Sequence, residues 1–105
     1  MNSQISFEQA REIAKSAAAN DVKGIQVDDS KNLLDVDYLE AEYCWIFFRN
    51  KEIQIPSEQW FVAAYGAYAV SKKGAFSQIT DFGRDPKELE VYLQVMSDYF
   101  KKKNL

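Results

Sequence analysis

At 105 residues the chain supports one domain with one core and little else. Hydrophobic residues make up 47% and charged residues 28%, the balance of a globular chain rather than a disordered one, and no apolar run approaches the length of a membrane span. The net charge of −3 and the lack of any histidine exclude Ser-His-Asp and Cys-His catalytic sets and the common zinc sites, and they argue against a nucleic-acid surface.

Met1-Asn2-Ser3-Gln4 has neither the basic nor the apolar region of a signal peptide, so a cytoplasmic chain is expected. Ser6 with Gln9 forms a helix-capping box, and Phe7, Ala10, Ile13, Ala14, Ala17 and Ala18 recur at helical spacing behind it. The small alanines predict a helix seated close against a sheet, ended by Asn20-Asp21 and Gly24. Ile25-Gln26-Val27 alternates and reads as a short strand, and Asp28 to Asn32 is a turn by composition.

Leu34, Val36 and Tyr38 alternate with Asp35 and Asp37, the period of a half-exposed strand, with a bulge or register change near Tyr38. The chain then enters Tyr43-Cys44-Trp45-Ile46-Phe47-Phe48, an aromatic-rich run without polar alternation, around which the rest is organised. Its length and composition predict a strand at the centre of the sheet, covered on both faces, with terminal helices covering one of them. One long strand or two joined ones span Leu33 to Arg49. Cys44, the lone cysteine, excludes an internal disulfide and reads as a buried, inert thiol.

Ile53 and Ile55 alternate before Pro56, as an edge strand or an extended loop. Trp60 to Tyr65 reads as strand or loop, with an ordinary packed strand favoured over a loop whose Trp60 and Phe61 anchor a partner. Ala67 to Ile79 is a hairpin turning at Gly74. Asp85 caps a last helix with Pro86 at its first position, and Leu89, Tyr92, Leu93, Met96 and Phe100 form its apolar face above Lys101-Lys102-Lys103. The expected fold is therefore α+β, an antiparallel sheet of about four to five strands packed with an N-terminal and a C-terminal helix.

Between Asp21 and Glu42 seven acids stand against Lys23 and Lys31, so this segment carries −5 while the residues after it sum to +2. An electropositive protein is the partner such a segment suits. Asp35 and Asp37 on one face of a strand are a conceivable cation or acid–base pair, but a solvated, edge-protecting face is the better reading. The four glycines form no phosphate loop, and no catalytic residue, cofactor or metal is expected.

The alanine-rich first helix, the Trp45-Ile46-Phe47-Phe48 core, the Lys-x-Gly turn within Ala69 to Phe76, and the Phe82-Gly83-Arg84-Asp85-Pro86 exit into Glu88-Leu89-Glu90-Val91-Tyr92-Leu93 form a pattern together. Over roughly Phe7 to Phe100 it resembles the small α+β immunity proteins of bacterial polymorphic toxin systems, especially the YrhB-like group. Ser71 departs from the acidic or basic pair common there, and the acidic Asp21–Glu42 segment has no assigned counterpart. The resemblance implies a non-enzymatic inhibitor that binds a cognate toxin stoichiometrically, with neither nucleic acid nor membrane as partner. On that reading Asp35, Asp37, Glu40 and Glu42 are the contact candidates for a basic toxin surface, with Trp60 as an anchor. The alternatives are a cone-shaped domain for a small ligand or catalysis, and an adaptor that takes a peptide along a sheet edge. The sequence sets no oligomeric state.

Overall fold

The computed structural model describes residues 4–23, 32–80 and 85–105. The strand expected at Ile25-Gln26-Val27, most of the turn after it and the exit through Gly83 lie outside them. Four strands, β1 (Leu34–Glu40), β2 (Cys44–Arg49), β3 (Ala67–Ser71) and β4 (Phe76–Ile79), form an antiparallel sheet in the order β1-β2-β3-β4. Helix α1 (Phe7–Asp21) covers one face of this meander and helix α3 (Pro86–Lys103) the other. The α+β expectation holds. The helices, however, do not share a face: the sheet is the middle layer of three.

That arrangement explains the unbroken apolar run. Every residue of β2 is buried. Cys44, Ile46 and Phe48 point into a core with Leu89, Met96 and Phe100 of α3, and Trp45 and Phe47 point into a second core with Ala10, Ala14 and Ala18 of α1. A strand covered on both faces has no reason to alternate.

Both helices start as their sequences specify. Ser6 Oγ accepts from the Gln9 backbone N–H at 3.1 Å while Gln9 Oε1 accepts from the Ser6 N–H at 2.9 Å, which satisfies two orphan donors of α1. Asp85 Oδ1 accepts from the Lys87 N–H at 2.9 Å, with Pro86 at the first turn of α3. At its other end α3 places Lys101, Lys102 and Lys103 in the last turn and closes on Asn104 at φ 57°.

The β3–β4 turn runs through Gly74 at φ +99°, the left-handed position that glycine occupies without strain. Buried Ser71 completes it, its Oγ accepting from the N–H groups of Lys73 (3.2 Å) and Ala75 (2.9 Å). The Ile5 N–H donates to the Lys72 carbonyl at 2.8 Å, tying the lead-in of α1 to the same turn.

Of the two readings of Ile53 to Pro56 the loop holds, as an irregular connection with Ile53 buried. Another expectation is corrected. Trp60–Ala64 is neither strand nor loop but a short helix, α2, entered through a turn of 3₁₀ helix at Ser57–Gln59. Pro56, at φ −56°, sets the entry to this helical stretch.

Candidate functional site

Two places in the fold gather side chains that packing alone does not explain. The first lies along β1. Leu34 faces Arg49 and Tyr38 faces Phe47 across the β1–β2 pair, so Asp35, Val36 and Asp37 stand opposite the single residue Phe48. The register change expected near Tyr38 is this bulge. Alternation alone would bury Val36, whereas the bulge leaves it 84% exposed.

The bulge keeps the two faces of β1 distinct. Leu34 joins the α1-side core, and Tyr38 stacks obliquely on Phe7 at 4.7 Å. On the opposite face Leu39 packs on the α3-side core. There α3 packs chiefly over β2 and β3. A cleft of about 430 Å³ remains, with Leu39, Phe48, Leu89 and Leu93 in its walls and Asp37 and Glu90 at its rim. Apolar walls with an acidic rim suit an apolar side chain carried next to a positive charge.

The second place is built on Arg49, the last residue of β2. A guanidinium at the end of an all-buried strand needs partners inside the protein. Arg49 is only 6% exposed; Nη2 donates to the Val62 carbonyl at 2.7 Å, Nη1 to Tyr68 Oη at 3.4 Å, and Nη1 lies 3.6 Å from Asp21 Oδ2. Tyr68 Oη and Gln78 Nε2 each donate to Asp21 Oδ2 at 2.7 Å, and Gln78 Nε2 also donates to the Tyr65 carbonyl at 2.7 Å. Burial, reinforced by the bond to Asp21, pushes the Tyr68 phenol well above its ordinary pKa, so it stays a donor.

This cluster clasps α2 to the sheet through the carbonyls of Val62 and of Tyr65, the residue that caps it. It leaves Trp60, Phe61 and Tyr65 exposed, with Phe61 and Tyr65 lining a hollow of about 220 Å³ beside Asp21 and Gln78. Among the described residues every buried side-chain nitrogen and oxygen has a partner, and no cluster of three or more potential metal ligands occurs.

The candidates read from the sequence are dispersed. Asp37 sits at the cleft, and Asp35 lies in the same bulge but not among the residues lining it. Glu40 is on the other face, paired with Lys72, whose Nζ lies 4.0 Å over the Trp45 ring. Glu42 is exposed in the β1–β2 turn. Trp60, 69% exposed, follows β2 at the opposite end of the sheet. The packed-strand reading of Trp60 therefore fails, and its side chain is open to solvent. The acidic segment is divided as well: Asp21 is committed to Arg49 and Tyr68, and Glu40 to Lys72.

Glu90 and the apolar walls were not anticipated. Their only trace in the sequence is Glu90 sitting between Leu89 and Leu93 on α3, which identifies no facing strand. Asp21 and Arg49 were equally legible only as a helix end and a strand end.

No helix among the described residues is long and apolar enough to cross a membrane. The geometry defines an α+β domain with a central four-strand meander, a helix on each face and an acid-rimmed cleft at one edge. No protein-family model, curated protein or solved structure matches the chain.

Proposed function

We propose that this chain is an immunity protein that binds a cognate bacterial toxin in the cytoplasm and neutralises it stoichiometrically, without catalysis. The observation that carries the reading is the β1–α3 cleft, whose apolar walls and Asp37–Glu90 rim present a complementary surface to a basic, partly apolar protein. The motif resemblance supplies the class of partner. Of the candidates read from the sequence, Asp37 is the contact best placed for this role, and Asp35 adds charge two residues before it. Glu40 and Glu42 add negative charge along the approach, and Trp60 serves a separate contact at the far end of the sheet.

The test begins with a tagged chain used to capture its partner, followed by purification and titration of that partner's toxic activity. Activity should vanish at one equivalent of the chain. Reversing Asp35 and Asp37 to lysine should slow association about tenfold and leave folding intact. A captured partner whose activity survives an excess of the chain would refute the proposal. The cleft volume also falls within the range of small-molecule sites, which favours a small cationic ligand as the second reading. Thermal shift separates the two, because each class of ligand stabilises only the protein that binds it.

A further inference from the structure

We infer that a second copy of this chain docks along the outer face of α3, the two helices lying antiparallel about a two-fold axis at Val95. The inference goes beyond the reading above and stands without it.

α3 carries two apolar stripes. Leu89, Met96 and Phe100 are buried against the sheet. On the side turned from the sheet, Val91, Val95 and Tyr99 are 64%, 49% and 44% exposed. They recur about one turn apart and form a continuous ridge. Single exposed apolar residues are ordinary, but three in one ridge need a reason. Helix formation does not give one, because valine is a poorer helix former than the lysine, glutamate and glutamine around it. Packing against another surface does.

The ends of the ridge say what that surface is. Exposed Glu88 stands one turn before Val91, and exposed Lys102 one turn after Tyr99. The five residues recur every three or four positions, the spacing of a seam between helices that cross at a shallow angle. The seam is negative at one end, positive at the other, apolar between, and symmetric about Val95. An antiparallel copy therefore sets Val95 against Val95, Val91 against Tyr99 and Glu88 against Lys102, the last two pairs made twice. Parallel pairing would set Glu88 against Glu88 and Lys102 against Lys102, so charge selects the antiparallel form. Both charges also suit the ends of their own helix, but that leaves the valines unexplained.

Solvated ion pairs add little affinity, so Glu88 and Lys102 fix orientation while the valines and Tyr99 supply the contact energy. One helix a side is smaller than a standard interface, and a weak dimer follows, with a dissociation constant on the order of 0.1 mM. Leu89 and Leu93, which line the cleft, lie on the other side of α3 by helical spacing, so pairing leaves the cleft of each copy open.

Sedimentation equilibrium of the full chain, from about 0.01 to about 1 mM, tests the inference. The wild-type chain should pass from monomer to dimer over that range. Val95→Glu sets two carboxylates on the axis and should weaken the dimer at least about tenfold; the position is half exposed, so circular dichroism and urea unfolding should show the fold retained. Glu88→Lys and Lys102→Glu should each weaken it about fivefold, and the double variant Glu88→Lys/Lys102→Glu should restore it to within about twofold. A chain that stays monomeric at about 1 mM, a dimer indifferent to Val95→Glu, or a double variant no better than the single ones would each overturn the inference. So would a captured toxin that covers Val91 and Val95 while the chain alone stays monomeric, since the ridge would then belong to that partner.

Discussion

The two faces of the sheet divide bulk with their helices differently. Toward α1 the helix contributes Ala10, Ala14 and Ala18 and the sheet contributes Trp45, Phe47, Tyr68 and Val70. Toward α3 the helix contributes the large residues Leu89, Met96 and Phe100, and the sheet mixes the small Cys44, Ala67 and Ala69 with Ile46, Phe48 and Ile79. Small helix residues meet large sheet residues on the first face, and both sides bring bulk to the second. The consequences differ. Alanines let α1 lie close across β1, β2 and β3, and its C-terminal Asp21 becomes the hub of the Arg49 cluster. The bulky side chains of α3 seat it over β2 and β3, and β1 is left with an open cleft. The face with small helix residues is closed and polar at its end; the face with large ones is open at its edge.

The largest effect should come from removing bulk on the α3 side. Phe100 is 1% exposed, and Phe100→Ala should lower unfolding stability by about 3–5 kcal/mol, through lost burial and the cavity left behind. Urea unfolding measures it, and a loss below about 1 kcal/mol would contradict the packing described. Next comes the polar end of the α1 face. Asp21→Ala removes a carboxylate beside the buried Arg49 charge and the acceptor of Tyr68, and should cost about 2–4 kcal/mol, somewhat less than breaking a fully buried pair because Asp21 is 14% exposed. Replacing Arg49 and Asp21 together by apolar residues should recover part of that loss, the recovery measuring how strongly the two groups are coupled.

Ala14→Leu inverts the size rule on the α1 side. It should destabilise by about 1–3 kcal/mol even though it adds apolar area, because Ala14 is fully buried against the sheet. A neutral or stabilising result would show that α1 rides higher on the sheet than the close contact implies.

Most of the architecture was legible because its signals are local. The Ser6–Gln9 box, Asp85-Pro86, Gly74 and the two helical stripes each specify their own element within a few residues. The run Cys44 to Phe48 announces burial on both faces by its want of alternation. What could not be read is set by partners distant in sequence. Which face each helix takes depends on how α1 and α3 divide large and small residues with the sheet, and one strand's composition does not reveal it. Trp60–Ala64 contains aromatics and a valine that suit a strand, yet the clasp from Arg49 and Gln78 holds it as a helix. Val36 fits the alternation of a buried residue and is turned out by the bulge. The cleft was invisible for the same reason: half its wall and half its rim come from α3, some fifty residues beyond β1.

Each face also holds a buried acid whose pKa is raised, Cys44 on one and Tyr68 on the other, and raising the pH should distinguish them with the smallest effect of the series. Cys44 lies on the α3 side, and burial pushes its thiol up to about 11 from an ordinary 9.0, with nearby Lys72 pulling the other way. Tyr68 lies on the α1 side and is likewise raised by burial and by its bond to Asp21. In both cases the folded chain holds its proton more tightly than the unfolded one. The stabilisation is therefore fully present below the unfolded pKa and is lost as the pH climbs toward the folded one. For Cys44 the loss runs from about pH 9 to about pH 11, at no more than about 1.4 kcal/mol per pH unit, and should total about 1–2 kcal/mol. Tyr68 adds to it only above about pH 10. Lysines titrate in the same range, so the informative quantity is the stability difference between the wild-type chain and Cys44→Ala. Cys44→Ala lowers stability near pH 8 by opening a small cavity, but it also removes the thiol that ionises on unfolding. The two proteins should therefore converge between about pH 8 and pH 10 by about 1 kcal/mol. A gap that stays constant over that range would mean that the thiol ionises as readily inside the fold as outside it, which a strand covered on both faces does not allow.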